Sequence, residues 1–319
     1  MYEQIELPVR DGFTVNAWLL RGEPLTLVDT GPRIAVTLTA LEQALRARGV
    51  RLADIELVLV THHHDDHAGL VATIRRRSRA RVAALDAAAA YGRDHPGRTA
   101  ADGTAAARLM RAHGVPGELM PRNDAYWAAI EAQGESYDAD VRLADSDRIR
   151  AGGRDLRVVW RPGHTTTDTL FVDDAAAIAL VGDHLLAGTS SNTEILPTGS
   201  ATRTRPASRR DYLANLRLTA EMPLRELLPG HGPRITDHAR LIEDRLEAHR
   251  RRSAKIEGLL ADGPASAFTL AQRLWPGNTV AAWPLLVVWE VLSHLDLLID
   301  AGTVAETIGA DSHSTFWLY

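Results

Sequence analysis

Apolar residues along this chain gather in short runs bounded by glycine, proline or aspartate, and these runs alternate with longer stretches whose apolar positions recur at helical spacing. Residues 25–28, 55–60, 81–85, 156–160, 169–172, 177–181 and 226–228 are too short and too β-branched for helices and predict strands. Residues 34–48, closed by Gly49, and residues 68–77 predict helices between the early strands. A charged helix is expected over 237–260, and a strongly apolar one runs through 291–299. Strands alternating with helices predict an α/β fold.

Two stretches depart from this alternation. Residues 86–146 are alanine-rich helical patches broken by glycine and proline, with Tyr91, Met110, Met120, Tyr126, Trp127 and Tyr137 scattered through them. This is read as a helical insertion, either a lid over a site or a decoration packed on the sheet. After Gly263-Pro264 a small, mainly helical module carries Trp275, Trp283 and Trp289. The expected division is a catalytic domain over 1–235 and a linker helix plus terminal module over 236–319, as a length of 319 residues suggests.

Composition narrows the chemistry. There is no cysteine, which excludes disulfides, a thiol nucleophile and thiolate zinc sites. One lysine, Lys255, leaves phosphate-loop and Schiff-base chemistry almost no residues to use. The net charge of −5 argues against a surface built for nucleic acid or anionic membrane. The first residues lack the basic-then-apolar order of a signal peptide, and no apolar run approaches the roughly 18 residues of a membrane helix, so a cytoplasmic protein is expected.

Four of the thirteen histidines fall in Thr61-His62-His63-His64-Asp65-Asp66-His67, where a strand empties into a loop. Alternate residues of extended backbone point the same way, so His62 and His64 can reach one cation. Asp66 and His67, beyond the turn, can reach a second, while His63 and Asp65 are expected to face away. Pro162-Gly163-His164, Gly182-Asp183 and Pro229-Gly230-His231-Gly232 each set one further ligand-type side chain at a strand end beside a residue that permits a tight turn. Ligands from several strand ends can meet at one rim of a sheet. His184, next to Asp183 on a strand, is expected to point away. His95, His113, His238, His249, His294 and His313 lack ligand-like company.

These motifs resemble those of the metallo-β-lactamase-fold hydrolase superfamily over about residues 1–235. The resemblance implies a four-layered αββα sandwich holding two divalent metal ions, usually zinc. It assigns His62, His64 and His164 to the first metal, and Asp66, His67 and His231 to the second. Asp183 would bridge them, and Asp29, in Val28-Asp29-Thr30-Gly31, would support the site without ligating. The C-terminal segment, with Ser293-His294-Leu295-Asp296-Leu297-Leu298, resembles the winged-helix-like module of the branch containing the lactamase-β-like proteins. Nitrogen and carboxylate donors suit zinc and tolerate iron or manganese. Two cations about 3.5–4 Å apart can share a hydroxide, because binding lowers the pKa of water to about 7. Asp66 could also carry a proton to the leaving group.

The expected function is therefore hydrolysis of a small ester, thioester or lactone. An endoribonuclease is the main rival, since relatives in the same branch cut RNA. Charge opposes it: residues 259–319 hold six acids and one base, Arg273, and residues 280–299 hold no base at all, whereas a nucleic-acid-binding helix needs them. Packing, lid support or homodimer formation remain as roles for the module. A mononuclear iron oxygenase of the persulfide dioxygenase type would use fewer of the second-metal ligands, and several true lactamases use a cysteine. In the loop 188–206, Arg203 and Arg205 are candidates for contact with an anionic substrate group. Arg75-Arg76-Arg77 and Arg250-Arg251-Arg252 read as solvated helix faces.

Overall fold

The computed structural model describes residues 1–10, 12–196, 205–275 and 277–319. A first sheet takes β1 (Tyr2–Arg10), β2 (Phe13–Leu20), β3 (Thr26–Val28), β4 (Leu57–Val60), β5 (Arg81–Leu85) and β6 (Val141–Leu143) in that spatial order. The first three are antiparallel, and β3 to β6 run parallel. A second sheet takes β7 (Arg148–Ala151), β8 (Arg154–Trp160), β9 (Thr169–Asp173), β10 (Ile178–Gly182) and β11 (Glu226–Pro229) in spatial order, antiparallel except for the β10–β11 pair.

Strand alternation divides the apolar residues between faces. Leu57 and Leu59 of β4 join Trp18 and Val28 in the core between the sheets, opposite Leu156, Val158, Phe171 and Leu180 of the second sheet. Val58 and Val60 face outward, where α1 (Ala35–Ala47), α2 (Asp65–Ala68), α3 (Val71–Ser78) and α4 (Asp86–Arg93) cover them with Leu41, Leu45, Ile74 and Ala88. The outer face of the second sheet is covered by Tyr212 and Leu216. The result is the expected four-layered αββα sandwich, with a mainly helical C-terminal region.

The helix expected over 68–77 divides into α2 and α3, since the first turn already begins at Asp65. A Cβ on Gly69, between them, would lie 2.3 Å from the carbonyl oxygen of Gln133. The 86–146 stretch is helical only to α5 (His95–Ala112) and α6 (Met120–Gln133); beyond them it supplies β6. These helices do not pack on the sheet as a decoration would. Leu109, Met110, Met120 and Trp127 share one apolar cluster with Phe268, Leu285, Trp289 and Leu292 of the C-terminal region.

That region follows α7 (Ser208–Ala220) and comprises α8 (His238–Leu259), α9 (Ala267–Leu274), α10 (Thr279–Ala282), α11 (Pro284–Asp300) and a hairpin of β12 (Val304–Ile308) and β13 (Ser314–Leu318). The apolar helix expected over 291–299 starts earlier, at Pro284, whose fixed φ and missing N–H suit a first helical turn. No helix among the described residues is long and apolar enough to cross a membrane.

Candidate metal centre

The strand ends of both sheets meet at one rim. Asp29, just past β3, is buried, and its carboxylate accepts bonds from the Thr61 amide (2.9 Å) and the Thr61 hydroxyl (2.7 Å). The same carboxylate lies 2.9 Å from Nδ1 of His67. It thus ties the strand end to the first turn of α2, where Asp66 and His67 sit. On the second sheet, the Asp168 carboxylate accepts from the backbone N–H groups of His164 (2.8 Å) and Thr165 (3.0 Å), fixing the turn that presents His164. Gly230 is required by close approach: a Cβ there would lie 2.4 Å from both Asp183 Oδ1 and His67 Cε1.

All seven expected ligands converge. Nδ1 of His64 lies 3.2 Å from Nε2 of His62 and 3.1 Å from Nε2 of His164. Ligands 2.0–2.1 Å from a tetrahedral zinc stand about 3.3 Å apart, so these three nitrogens are spaced as the edges of such a site. Beside them, His67 Nε2 is 3.4 Å from Asp183 Oδ1 and 3.8 Å from Asp66 Oδ1. His231 Nε2 is 3.3 Å from Asp66 Oδ2 and 3.4 Å from Asp183 Oδ2. Asp183 also reaches within 3.8 Å of His164 Nε2, which puts it between the two groups.

The outward ring nitrogens are anchored. His62 Nδ1 meets Thr61 Oγ1 (3.1 Å), His164 Nδ1 the Asn192 carbonyl (2.7 Å) and His231 Nδ1 the Thr14 carbonyl (2.6 Å). Such partners set which nitrogen is free to bind a cation. The inward atoms are orphaned: His67 Nε2 and Asp183 Oδ1 are buried without a hydrogen-bond partner. Unpaired buried polar atoms are costly, and a cation at their centre satisfies them. Burial and neighbouring imidazoles lower His62 and bring His64 down to about 3, whereas on His67 and His231 the Asp66 and Asp183 carboxylates outweigh burial and raise both, His231 to about 10. Burial opposes charge on Asp183 as well, yet His231 and His67 hold its carboxyl well below the usual range. The donor set therefore fits a pair of divalent ions.

Other expectations divide. His184 points away as anticipated, its Nε2 2.9 Å from Thr219 Oγ1 in the core. His63 and Asp65 stand apart from the seven donors as anticipated, yet both line the cavity, His63 with its ring 4.0 Å from that of Tyr91 and its Nε2 3.6 Å from Glu194. Arg205 is no substrate contact, because its buried guanidinium is held by Asp296 and Glu306 of the C-terminal region. Arg203 lies outside the described residues. His249 and His294 do have ligand-like company, in Glu290. Glu194 and Asp168 were missed; an aspartate four residues after His164, behind three threonines able to form side-chain turns, was the available signal for the second.

The cavity above the cluster is about 420 Å³. Its walls come from the β1–β2 hairpin, from Tyr126 and Ile130 of α6, and from Leu286 and Trp289 of α11.

The model of the metallo-beta-lactamase superfamily matches residues 10–231. The chain is 30% identical over 288 residues to a probable metallo-hydrolase, YqjP, of Bacillus subtilis (strain 168), covering 89% of this chain and 87% of that protein. It is 28% identical over 150 residues to a hydroxyacylglutathione hydrolase of Rhodopseudomonas palustris (strain HaA2), a match spanning 46% of this chain and 39% of the relative. The crystal structure of a metallo-beta-lactamase family protein, TTHA1429 from Thermus thermophilus, superposes with a TM-score of 0.83 at 26% identity, covering 100% of this chain and 98% of the other.

Proposed function

We propose that this chain, which belongs to the metallo-beta-lactamase superfamily and is a metallo-hydrolase, holds two divalent metals and cleaves a small ester, thioester or lactone. The observation that carries the reading is the convergence of five imidazoles and two carboxylates beside an apolar-walled cavity of ligand size, with His67 Nε2 and Asp183 Oδ1 buried and unpartnered. His62, His64 and His164 would hold one ion, Asp66, His67 and His231 the other, with Asp183 shared; zinc suits these donors best. A bound pair supplies an acidified water and a positive field for a developing oxyanion.

The chain's own groups do the rest. Asp29 fixes the His67 ring, and Asp168 fixes the turn bearing His164. The largely apolar walls lower the local dielectric, which strengthens charge interactions at the floor. Asp66, which lines the cavity, would pass a proton to a leaving group. The partial likeness to a hydroxyacylglutathione hydrolase supports a thioester among the substrates.

A nuclease is disfavoured by α11: Val288, Val291, Leu292 and Leu295 are buried, as are Ser293 and His294, so the helix is spent on packing. The test is to assay metal-loaded protein against acyl-thioesters, lactones and single-stranded RNA. Thioester or lactone turnover lost in His62→Ala and Asp183→Ala is expected. RNA cleavage without acyl turnover would overturn the reading, and one iron with oxygen uptake would replace it with an oxygenase.

A further inference from the structure

Four carboxyl groups, those of Asp65, Asp66, Asp183 and Glu194, line the cavity together with the imidazoles. Among the described lining residues there is one arginine or lysine, Arg10, at the rim. It ends β1 just after the pairing register with β2 shifts between Pro8 and Arg10. Such an irregularity bends a strand and re-aims the side chain that follows it, a device common beside active sites.

Arg10 is part of a stack that begins at the metal cluster. The Phe13 ring lies 4.8 Å from the ring of His231, the Arg10 guanidinium carbon 5.0 Å from the Phe13 ring, and the same carbon 5.1 Å from the ring of Trp283. The two spacings laid end to end put the guanidinium no more than about 10 Å from the His231 ring. A guanidinium held against two aromatic rings can still offer its N–H groups to a planar anion. No carboxylate among the described residues takes those groups in an ion pair. Trp283, 41% exposed, contributes an aromatic wall at the mouth, and Leu286 and Trp289 continue it inward.

We propose that Arg10 is an anion-recognition residue of the substrate site, and that the substrate class is an ester, thioester or lactone bearing a carboxylate or phosphate remote from the scissile carbonyl across an apolar spacer. This rests on the hydrolase reading above for the carbonyl end, and on the stack alone for the anionic end. It moves the anion contact expected of the 188–206 loop to the end of β1. It also assigns the C-terminal region a share of the substrate site, through Trp283.

The test separates the two ends by binding. Metal-loaded wild type, Arg10→Ala, Arg10→Lys and Trp283→Ala are titrated with octanoate, suberate and 8-phosphonooctanoate, all of one chain length. A carboxylate at the floor is common to all three probes, so the ratio of affinities isolates the remote anion. Wild type is expected to prefer the two dianions by about 10- to 100-fold, the range of a charge-assisted bond. Arg10→Ala should collapse that ratio towards one, Arg10→Lys should keep part of it, and Trp283→Ala should weaken it. The relative preference for phosphonate or carboxylate names the anion. In turnover, the ratio of kcat/KM for the p-nitrophenyl monoester of suberate over p-nitrophenyl octanoate should fall in step. An unchanged binding ratio in Arg10→Ala overturns the proposal. Absence of ester turnover with the binding ratio intact would count against the hydrolase reading alone.

Discussion

Two buried clusters in this molecule are built from the same residue types and serve opposite ends. At the strand ends, five histidines and two aspartates turn their ring nitrogens and carboxylate oxygens toward common centres. Between α7, α8 and α11, His249, Glu290 and His294 also lie within ligating range of one another. The second cluster already has its cation: the Arg209 guanidinium, its side chain 1% exposed, is paired with Glu290, and its Nε donates to Ser293 Oγ at 3.2 Å. His249 and His294 are taken up by Ser190 (3.1 Å) and Ser253 (2.8 Å). The metal centre holds two carboxylates, and no arginine or lysine side chain is paired with either among the described residues. Residue type and proximity are therefore poor criteria for a metal site: each cluster holds a buried ring nitrogen without a hydrogen-bond partner, His67 Nε2 in one and His294 Nε2 in the other, and what separates them is the arginine that already occupies the second.

The largest expected effect is at the shared carboxylate. Asp183→Ala should reduce bound metal from about two ions per chain to one or fewer and abolish hydrolysis, measured by elemental analysis and turnover on the same preparation. The same metal titration on Glu290→Gln should leave the stoichiometry unchanged. That substitution instead strands Arg209 as an unpaired buried charge and should cost about 3–5 kcal/mol in denaturant unfolding. Metal loss without destabilisation would mean the second cluster is a site after all.

Acid should narrow that gap. Burial pushes the Glu290 carboxyl up, but the Arg209 charge and the bond with His294 outweigh it and hold the group well below its ordinary value of 4.5. A depressed carboxyl contributes stability that is fully present above about pH 4.5 and is lost as pH falls through the lower folded value. Wild type should therefore lose stability on acidification faster than Glu290→Gln, followed by unfolding at pH 7, 4 and 3. Parallel decline would contradict the pairing.

Smaller effects test the supports. Asp29→Asn keeps the shape but removes the charge behind His67, and should weaken metal affinity about 10- to 100-fold in a chelator competition. Ser190→Ala cuts the hydrogen bond between the cavity rim and His249 and should cost about 1 kcal/mol of stability without changing metal content.

Local signals made much of this legible before any coordinates. The runs at 81–85 and 169–172 appear as β5 and β9, because short apolar runs between turns have few alternatives. The seven donors were legible because four crowd into residues 62–67 at one strand end and the other three, His164, Asp183 and His231, each follow a glycine at a strand end. What escaped depends on tertiary neighbours. Glu194 has no motif, and enters the site because its N–H donates to the His164 carbonyl at 2.8 Å. Arg205 looked like an anion contact until Asp296, 91 positions on, was seen to hold it. The terminal hairpin was missed because its short strands mix polar with apolar positions, burying Val304, Ala305, Ser314 and Phe316 while Thr307, Ile308 and Trp317 stay exposed.

Anomalous diffraction from crystals of zinc-loaded protein, collected at the zinc edge, tests the central claim most directly. Two peaks are expected, one among His62, His64 and His164 and one among Asp66, His67 and His231, both touching Asp183, with none between His249, Glu290 and His294. A vacant rim, or a peak at the arginine-filled cluster, would contradict the account.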